Sequence, residues 1–480
     1  MLAQCDPTLV TPVDQGGDTD GNSGLAKLRK AQTVNDNFQM RHKHFAFRRW
    51  HLALVIFLVL AVLTGLYVAI QQSSVERRLK ALRAAGYPTN FAELAEYNRL
   101  PAGTLNAADV YGRAFWQYRP PVDEETWKIP IVGSAALPGR GLPVPQTMTD
   151  AISQYLARNR TCLTLLHEAG AIEHCRYTWD YTKGLTELPA IRRCAWLLEL
   201  SATYHAYSGD PNGAAECIQD GLRLADSLRN EPGLVCYLIR RGCSALAVRG
   251  LERSMNATAF TDAQLREMDL ALAATAATTL DLAQVMITER CFMLESCRDT
   301  SLKSSWPLTP SRGVGPRLLV HLPGIRRIGV VDTLDYMEDC IAAAKLPPQE
   351  RMARFRALEQ EAKDLSFMHL MVNSILSSTG ELGALHARFP AIFDLARTAL
   401  AVERYRLAAG RLPEALGQLV PQYLDHVPID PFDGQPIRYR RTEPGYVVYN
   451  VAEDGQDNGG REWDEVPQGQ LYDLCFVVTR

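Results

Sequence analysis

The sequence lacks the short motifs by which most enzymes are identified. It has no GxSxG, HExxH, P-loop or dinucleotide-binding fingerprint, and no CxxC pair among its 11 cysteines. Its 51 basic and 54 acidic residues also leave no charge excess of the kind that nucleic-acid-binding proteins carry. These absences predict a protein without catalysis, without a nucleic-acid partner and without an evident small-molecule substrate.

The cysteines lack the pattern of a disulfide framework, because their total is odd and their spacings match no metal site. An extracytoplasmic domain usually pairs its thiols or avoids them. Most of these cysteines instead fall inside helical patterns, where a free cysteine is commonly a small buried hydrophobe. Those positions are Cys162, Cys194, Cys217, Cys236, Cys243, Cys291 and Cys340.

Charge is also missing from Leu52–Ile70, a run of apolar residues that would span roughly 28 Å as a helix. A buried core helix or a cleaved signal peptide are the alternatives, but the run has no polar face and lies far from the start. We therefore predict a transmembrane anchor over residues 48–72, preceded by a disordered tail over residues 1–47 that is rich in polar residues.

The basic residues that flank this run do not decide its orientation, because both flanks carry several Lys and Arg. Large downstream domains cross membranes with little regard for charge. The sequence therefore predicts a single-pass protein of the cytoplasmic (inner) membrane, with its N-terminus inside, most of the chain extracytoplasmic and the lipid bilayer as a partner.

The middle of the chain is predicted to be helical. Residues 73–148 read as short helices and a Pro-rich connector, and residues 149–380 show apolar positions at helical spacing with little alternation. The segment "LSATYHAYSGDPNGAAECIQDGL" resembles a tetratricopeptide unit, in which small residues let two helices approach closely. The match is partial, so an unrelated helical hairpin remains the alternative.

Residues 381–480 follow a different pattern. A helix stopped at Gly410 precedes three strand-like runs, "IRYRR", "YVVYNV" and "DLCFVV". A helix followed by an antiparallel sheet is an α+β module. The predicted fold class is thus mainly α, with a single transmembrane helix, a tetratricopeptide-like bundle and a small C-terminal α+β module.

The loop between the last two runs concentrates carboxylates. "DGQDNGGREWDE", residues 454–465, matches a twelve-residue calcium loop at its first, fifth, sixth and last positions, although Gln456 departs from the usual third residue. Calcium prefers carboxylate, amide and carbonyl oxygens on a loop whose glycines let the chain curl. A solvated acidic turn remains the alternative.

The order of helix, "VPIDPFDGQP", "GYVVYNV" and acidic loop resembles the globular end of the major pseudopilin of type II secretion systems. The whole layout also resembles uncharacterised bacterial single-pass membrane proteins that carry this tail. The first resemblance implies a helix leading into a small sheet with a bound calcium ion. With the calcium-loop match, it yields the predicted metal ligands: Asp454, Asp457, Asn458, Asp464, Glu465 and Asp473.

One departure from the pseudopilin pattern affects the function. In pseudopilins the apolar span continues directly into the helix that enters the sheet, whereas here the helical domain separates the two. We therefore favour a pseudopilin-like module within a different kind of protein over a pseudopilin subunit that polymerises. The sequence predicts a membrane-anchored extracytoplasmic interaction or scaffold protein with an unknown protein partner; the alternative is a component of a type II secretion or pilus-like assembly.

Overall fold

A computed structural model describes residues 23–462 and 472–479, apart from residues 98, 102, 181–183, 279–280, 299–322 and 364–378. The described helices are α1 (Ser23–Ala84), α2 (Phe91–Tyr97), α3 (Ala107–Gln117), α4 (Asp123–Thr126), α5 (Gln146–Arg158), α6 (Arg160–Gly170), α7 (Leu188–Tyr207), α8 (Pro211–Asp226), α9 (Leu234–Ala257), α10 (Asp262–Ala277), α11 (Leu282–Arg298), α12 (Pro323–Ala344), α13 (Pro348–Lys363) and α14 (Leu382–Ala409). The chain divides into two compact units, Met1–Ile70 and Gln71–Arg480.

The first unit contains the apolar run within helix α1. The helical stretch Trp50–Ala84 includes an 18-residue window of mean hydropathy 2.8 with no residue buried, so one helix is long and apolar enough to span a membrane. Helix α1 begins at Ser23, so the prediction of disorder needs correction for residues 23–47. Strong helix formers such as those of "LAKLRKAQ" explain the earlier start.

In the second unit, helices α7, α8 and α9 pack against one another, in agreement with the helical pattern of this region. A short turn joins α7 to α8, and Gly209 adopts a φ of 72° there. Asp210 caps α8, since its carboxylate accepts the Gly213 N–H at 3.0 Å. The described chain is thus mainly helical, while the likeness of this hairpin to a tetratricopeptide unit stays a prediction.

The three strand-like runs form one antiparallel sheet in the order β1 (Arg438–Arg441), β2 (Tyr446–Asn450) and β3 (Leu474–Val478). Every residue of β2, the central strand, is buried. Gly445 makes the turn into β2 with a φ of 98°, and a Cβ there would lie 1.8 Å from the Val478 carbonyl oxygen. Only glycine fits this approach without displacing β3.

Side chains of α9 pair with the outer edge of β3 in place of a further strand. The Val477 N–H donates to Glu252 Oε1 at 3.0 Å, and Asn256 Nδ2 donates to the Val477 carbonyl at 2.8 Å. Asn256 Oδ1 also accepts the Thr479 N–H at 2.8 Å. An edge strand with unpaired backbone groups promotes aggregation, and these contacts satisfy both backbone groups of Val477 and the N–H of Thr479.

The largest core joins the helical body to the sheet. It contains residues from α7 to α10, from α14 and from the strands, and residues on both sides of the predicted boundary at 380 and 381 contribute to it. Helix α14 packs on α10 and α9 as well as on β2 and β3. The Tyr446 hydroxyl donates to the Ala399 carbonyl of α14 at 3.0 Å, which fixes the sheet to the helix.

The N-terminus of α9 is capped from a neighbouring helix. The Leu234 N–H donates to Glu289 Oε2 of α11 at 2.7 Å, and the Gly233 N–H donates to Thr288 Oγ1 at 3.1 Å. Glu289 is buried, and this burial raises the pKa of its carboxyl from 4.5 to about 7, although the hydrogen bond from Leu234 opposes the rise.

This raised pKa predicts a pH-dependent stability. A carboxyl with a higher pKa in the folded state binds its proton more tightly there, so its contribution is present at low pH and is lost as pH rises through about 7. Between pH 5.5 and pH 8.5 the loss from this group is about 2 kcal/mol. In Glu289→Gln we expect the pH dependence of the free energy of unfolding to shrink by this amount, as measured by denaturant titration at both pH values.

The control for this experiment is Glu267→Gln, which changes an exposed carboxylate of α10. It should leave the pH dependence as in the wild type. Equal pH dependence in Glu289→Gln and the wild type would contradict the assignment.

Candidate functional site

The acidic loop begins where β2 ends. After Val451 the chain makes a single 3₁₀ turn over Ala452–Asp454, and Gly455 closes that turn in the left-handed region with a φ of 68°. The Asp454 carboxylate accepts the Gln456 N–H at 3.0 Å and the side-chain amide of Asn458 at 3.3 Å. The first predicted ligand is therefore part of a local turn whose own amides occupy its oxygens.

Asp473, immediately before β3, holds the far side of the loop. Its carboxylate accepts the Gly460 N–H at 2.7 Å and the Asn458 N–H at 3.2 Å. Its own N–H donates to the Arg461 carbonyl at 2.8 Å. Only 2% of Asp473 is exposed; burial raises the pKa of its carboxyl, and the two backbone amides oppose that rise.

The loop also contains an ion pair. Asp457 Oδ1 accepts the Gly459 N–H at 2.9 Å, and Asp457 Oδ2 lies 3.0 Å from Arg438 Nε on β1. The same guanidinium contacts Asp430 Oδ2 at 3.1 Å and forms a short ion pair with Asp433. One guanidinium thus forms ion pairs with three carboxylates that come from two separate loops.

Asp430 connects these two loops. Its carboxylate accepts the N–H groups of Phe432 and Val451, each at 2.9 Å, and its side chain is fully buried. Burial raises the pKa of Asp430, which those hydrogen bonds and Arg438 oppose. Sequence reasoning used "VPIDPFDGQP" only as part of the resemblance to pseudopilins. It missed both Asp430 and Arg438. Two aspartates three residues apart before an arginine-rich strand could have indicated an ion-pair cluster at this place.

The structure therefore brings four predicted ligands together, namely Asp454, Asp457, Asn458 and Asp473. Among the described residues, no group of three or more His, Cys, Asp or Glu side chains is arranged to hold a metal ion. Each of the three aspartates among them uses a carboxylate oxygen to accept a backbone N–H group. The other two, Asp464 and Glu465, lie outside the described residues, so the calcium site stays a prediction.

A cleft of about 590 Å³ lies next to this loop, between α9, α14 and β3. Its arginines face carboxylates at ion-pair distance: Arg140 with Glu252 and Glu462, Arg249 and Arg253 with Glu199, and Arg388 with Glu453. Each of these arginines thus has a carboxylate partner among the described residues of the cleft, and two of them share Glu199.

Comparisons of the chain with protein-family models, with curated proteins and with solved structures found no match. The likeness of the C-terminal module to pseudopilins therefore depends on its sequence motifs alone, and stays a prediction.

We expect Arg438→Gln to destabilise the fold by about 2–4 kcal/mol, because it leaves the buried Asp430 carboxylate without its counter-charge. Denaturant titration of the two proteins measures this difference. Arg440→Gln, on the same strand but exposed, is the matched control and should change stability by less than about 0.5 kcal/mol. Equal effects of the two substitutions would show that the three ion pairs contribute nothing.

The calcium prediction is tested by thermal melting of the full chain in 10 mM calcium and in chelator, at equal ionic strength. Extracytoplasmic calcium modules have dissociation constants of roughly 0.1–1 mM, so calcium should stabilise by about 1.4–2.7 kcal/mol, a shift of a few degrees. Asp454→Asn can still accept the Gln456 N–H, so it should lose only the calcium-dependent shift. Equal melting temperatures in the wild type would remove the calcium hypothesis.

Proposed function

We propose that the chain is a membrane-anchored scaffold whose body lies outside the cytoplasm and presents its helical surface to a protein partner. The observation that carries this proposal is an apolar 18-residue window of the helical stretch Trp50–Ala84, in which no residue is buried. Trp50, near the start of the apolar run, is 78% exposed, as suits an aromatic side chain at a membrane interface. The second unit has hydrophobic cores of its own.

The organisation of the second unit supports a binding role. Helices α7, α8 and α9 pack side by side around short turns, as in proteins that present a surface of paired helices. The buried carboxylates near the acidic loop, Asp430 and Asp473, accept backbone N–H groups. These contacts fit a structural role, because a general base needs an oxygen that can reach a substrate proton. The proposed calcium ion would act in the same way, by tying the loop to the sheet.

A role in a type II secretion or pilus-like assembly is the second candidate. It is favoured by the order of elements in the C-terminal module, where α14 leads into the antiparallel sheet β1–β2–β3 and packs against it. Co-purification with a filament, together with cleavage next to the apolar run, would favour this candidate over the first.

The proposal predicts the topology of the full chain in spheroplasts. We expect a membrane-impermeant maleimide to label an added thiol at the exposed position of Ser208→Cys, because the body lies outside. The native Cys5, which precedes the apolar run, should react only after lysis. The opposite labelling pattern would reverse the orientation and overturn an extracytoplasmic scaffold.

A charged variant tests whether the apolar run is the anchor. Leu58→Arg with Leu63→Arg places two charges at its centre, at about 2.5–3.5 kcal/mol each, and should release much of the chain from alkaline-washed membranes. Leu270→Arg is the matched control, since Leu270 is a leucine of α10 that is 62% exposed. Equal retention of all three proteins would show that the body is held to the membrane in another way.

A further inference from the structure

Two arginines of helix α9 share one carboxylate at the cleft beside β3. Arg249 and Arg253 lie four residues apart, so their side chains leave the helix on the same face. Arg249 donates to both oxygens of Glu199, through Nε at 2.6 Å and Nη2 at 2.7 Å. Arg253 Nη1 lies 3.2 Å from Glu199 Oε1. The Glu199 side chain is fully buried, so one negative charge faces two positive charges here.

Arg253 is the less satisfied member of this pair. Its Nη1 is buried and has no hydrogen-bond partner among the described residues, so its contact with Glu199 is electrostatic. Burial lowers the pKa of Arg253; Glu199 opposes that decrease, and the neighbouring charge of Arg249 adds to it. The folded chain therefore compensates the positive charge of Arg253 only in part.

The rest of the cleft lining is partly apolar and partly acidic. Val248 and Phe476 contribute apolar side chains. Glu252 and Glu462 also line the cleft, and both are paired with Arg140. The cleft volume of about 590 Å³ lies within the range of sites that enclose a small ligand, which is room for a few residues of a peptide.

We propose that this cleft binds a peptide through a carboxylate group, and that the guanidiniums of Arg249 and Arg253 hold this carboxylate. The planar fork of an arginine matches the two oxygens of a carboxylate. One ligand carboxylate also balances the single positive charge that the two arginines and Glu199 leave. A phosphate monoester carries about 1.5–2 negative charges, and the two carboxylates around Arg140 disfavour the additional charge.

Tyr207, the last residue of α7, lines the same cleft and supplies a further donor. Burial raises the pKa of its hydroxyl, although Arg253 opposes the rise, so the hydroxyl keeps its proton at neutral pH. A phenolic O–H donates to a carboxylate oxygen. The free C-terminus of a peptide and an internal Asp or Glu side chain both offer such an oxygen, and the two sources can be separated by experiment.

This inference rests on the proposed binding role, since it names the chemical group by which a partner would be held. The maleimide labelling and the membrane extraction measure orientation and anchoring. Either of those can fail while the cleft binds peptide, and the cleft can fail to bind while both succeed.

Isothermal titration calorimetry of the full chain in detergent tests the proposal with peptides that differ in the position of their carboxylate. Acetyl-Ala-Ala-Phe has a free C-terminal carboxylate. Acetyl-Ala-Asp-Phe-amide has only a side-chain carboxylate, and acetyl-Ala-Ala-Phe-amide has none. A fourth peptide, acetyl-Ala-phosphoserine-Phe-amide, replaces the carboxylate by a phosphate.

We expect one of the two carboxylate peptides to bind at least roughly tenfold more tightly than the peptide without a carboxylate. The peptide that binds more tightly identifies the source of the carboxylate. Three results would overturn the proposal: equal binding of the first three peptides, no binding of either carboxylate peptide at about 1 mM, or tighter binding of the phosphoserine peptide.

A pair of variants assigns the binding to Arg253. In Arg253→Gln, Arg249 still pairs with Glu199, so the melting temperature should stay within roughly 2 °C of the wild type. The dissociation constant of the better carboxylate peptide should rise roughly 10- to 100-fold in this variant. Arg266→Gln changes an exposed arginine of α10 outside the cleft lining and should bind as the wild type does.

Unchanged peptide binding in a folded Arg253→Gln protein would also overturn the proposal. The comparison of peptides uses the wild type, so it decides the question even where a variant does not fold.

Discussion

The burial of helix α14 between the helical body and the sheet is the constraint on which the rest of the second unit depends. One face of the helix packs on α10 and α9, and it also contacts β2 and β3. Ion pairs at its rim, Arg397 with Asp269 and Arg404 with Asp262, fix it to α10. Because apolar burial is the main favourable term in folding, the core that the sheet shares with the body depends on this helix.

Buried carboxylates around that core are paired with arginines and with backbone N–H donors. Asp430 uses Arg438 and two backbone amides, and Glu252 pairs with Arg140 while accepting the Val477 N–H. An unpaired charge at these buried positions would destabilise the fold. We therefore interpret these side chains as contacts that hold the C-terminal module in place. The acidic loop belongs to the same system, since its Asp457 is held by Arg438.

Much of the fold followed from local patterns. The predicted end of α14 at Gly410 is confirmed, and α10 begins with a capping box formed by Thr261 and Gln264; both features depend on residues within one turn of each other. The three strands and their antiparallel sheet are confirmed as well. Proline was a weaker indicator of where a helix ends. Pro390 lies inside α14, where tertiary packing outweighs the lost backbone hydrogen bond.

The sequence by itself determined an apolar helix long enough to cross a membrane, a mainly helical body, a small antiparallel sheet and an acidic loop, because periodicity and turn chemistry act over short distances. Only the tertiary structure decided which side chains meet. It placed Arg438 among three carboxylates and Glu252 on the edge of β3. Such partners lie on separate elements, and packing of the whole core sets their distances, which no local pattern of residues encodes.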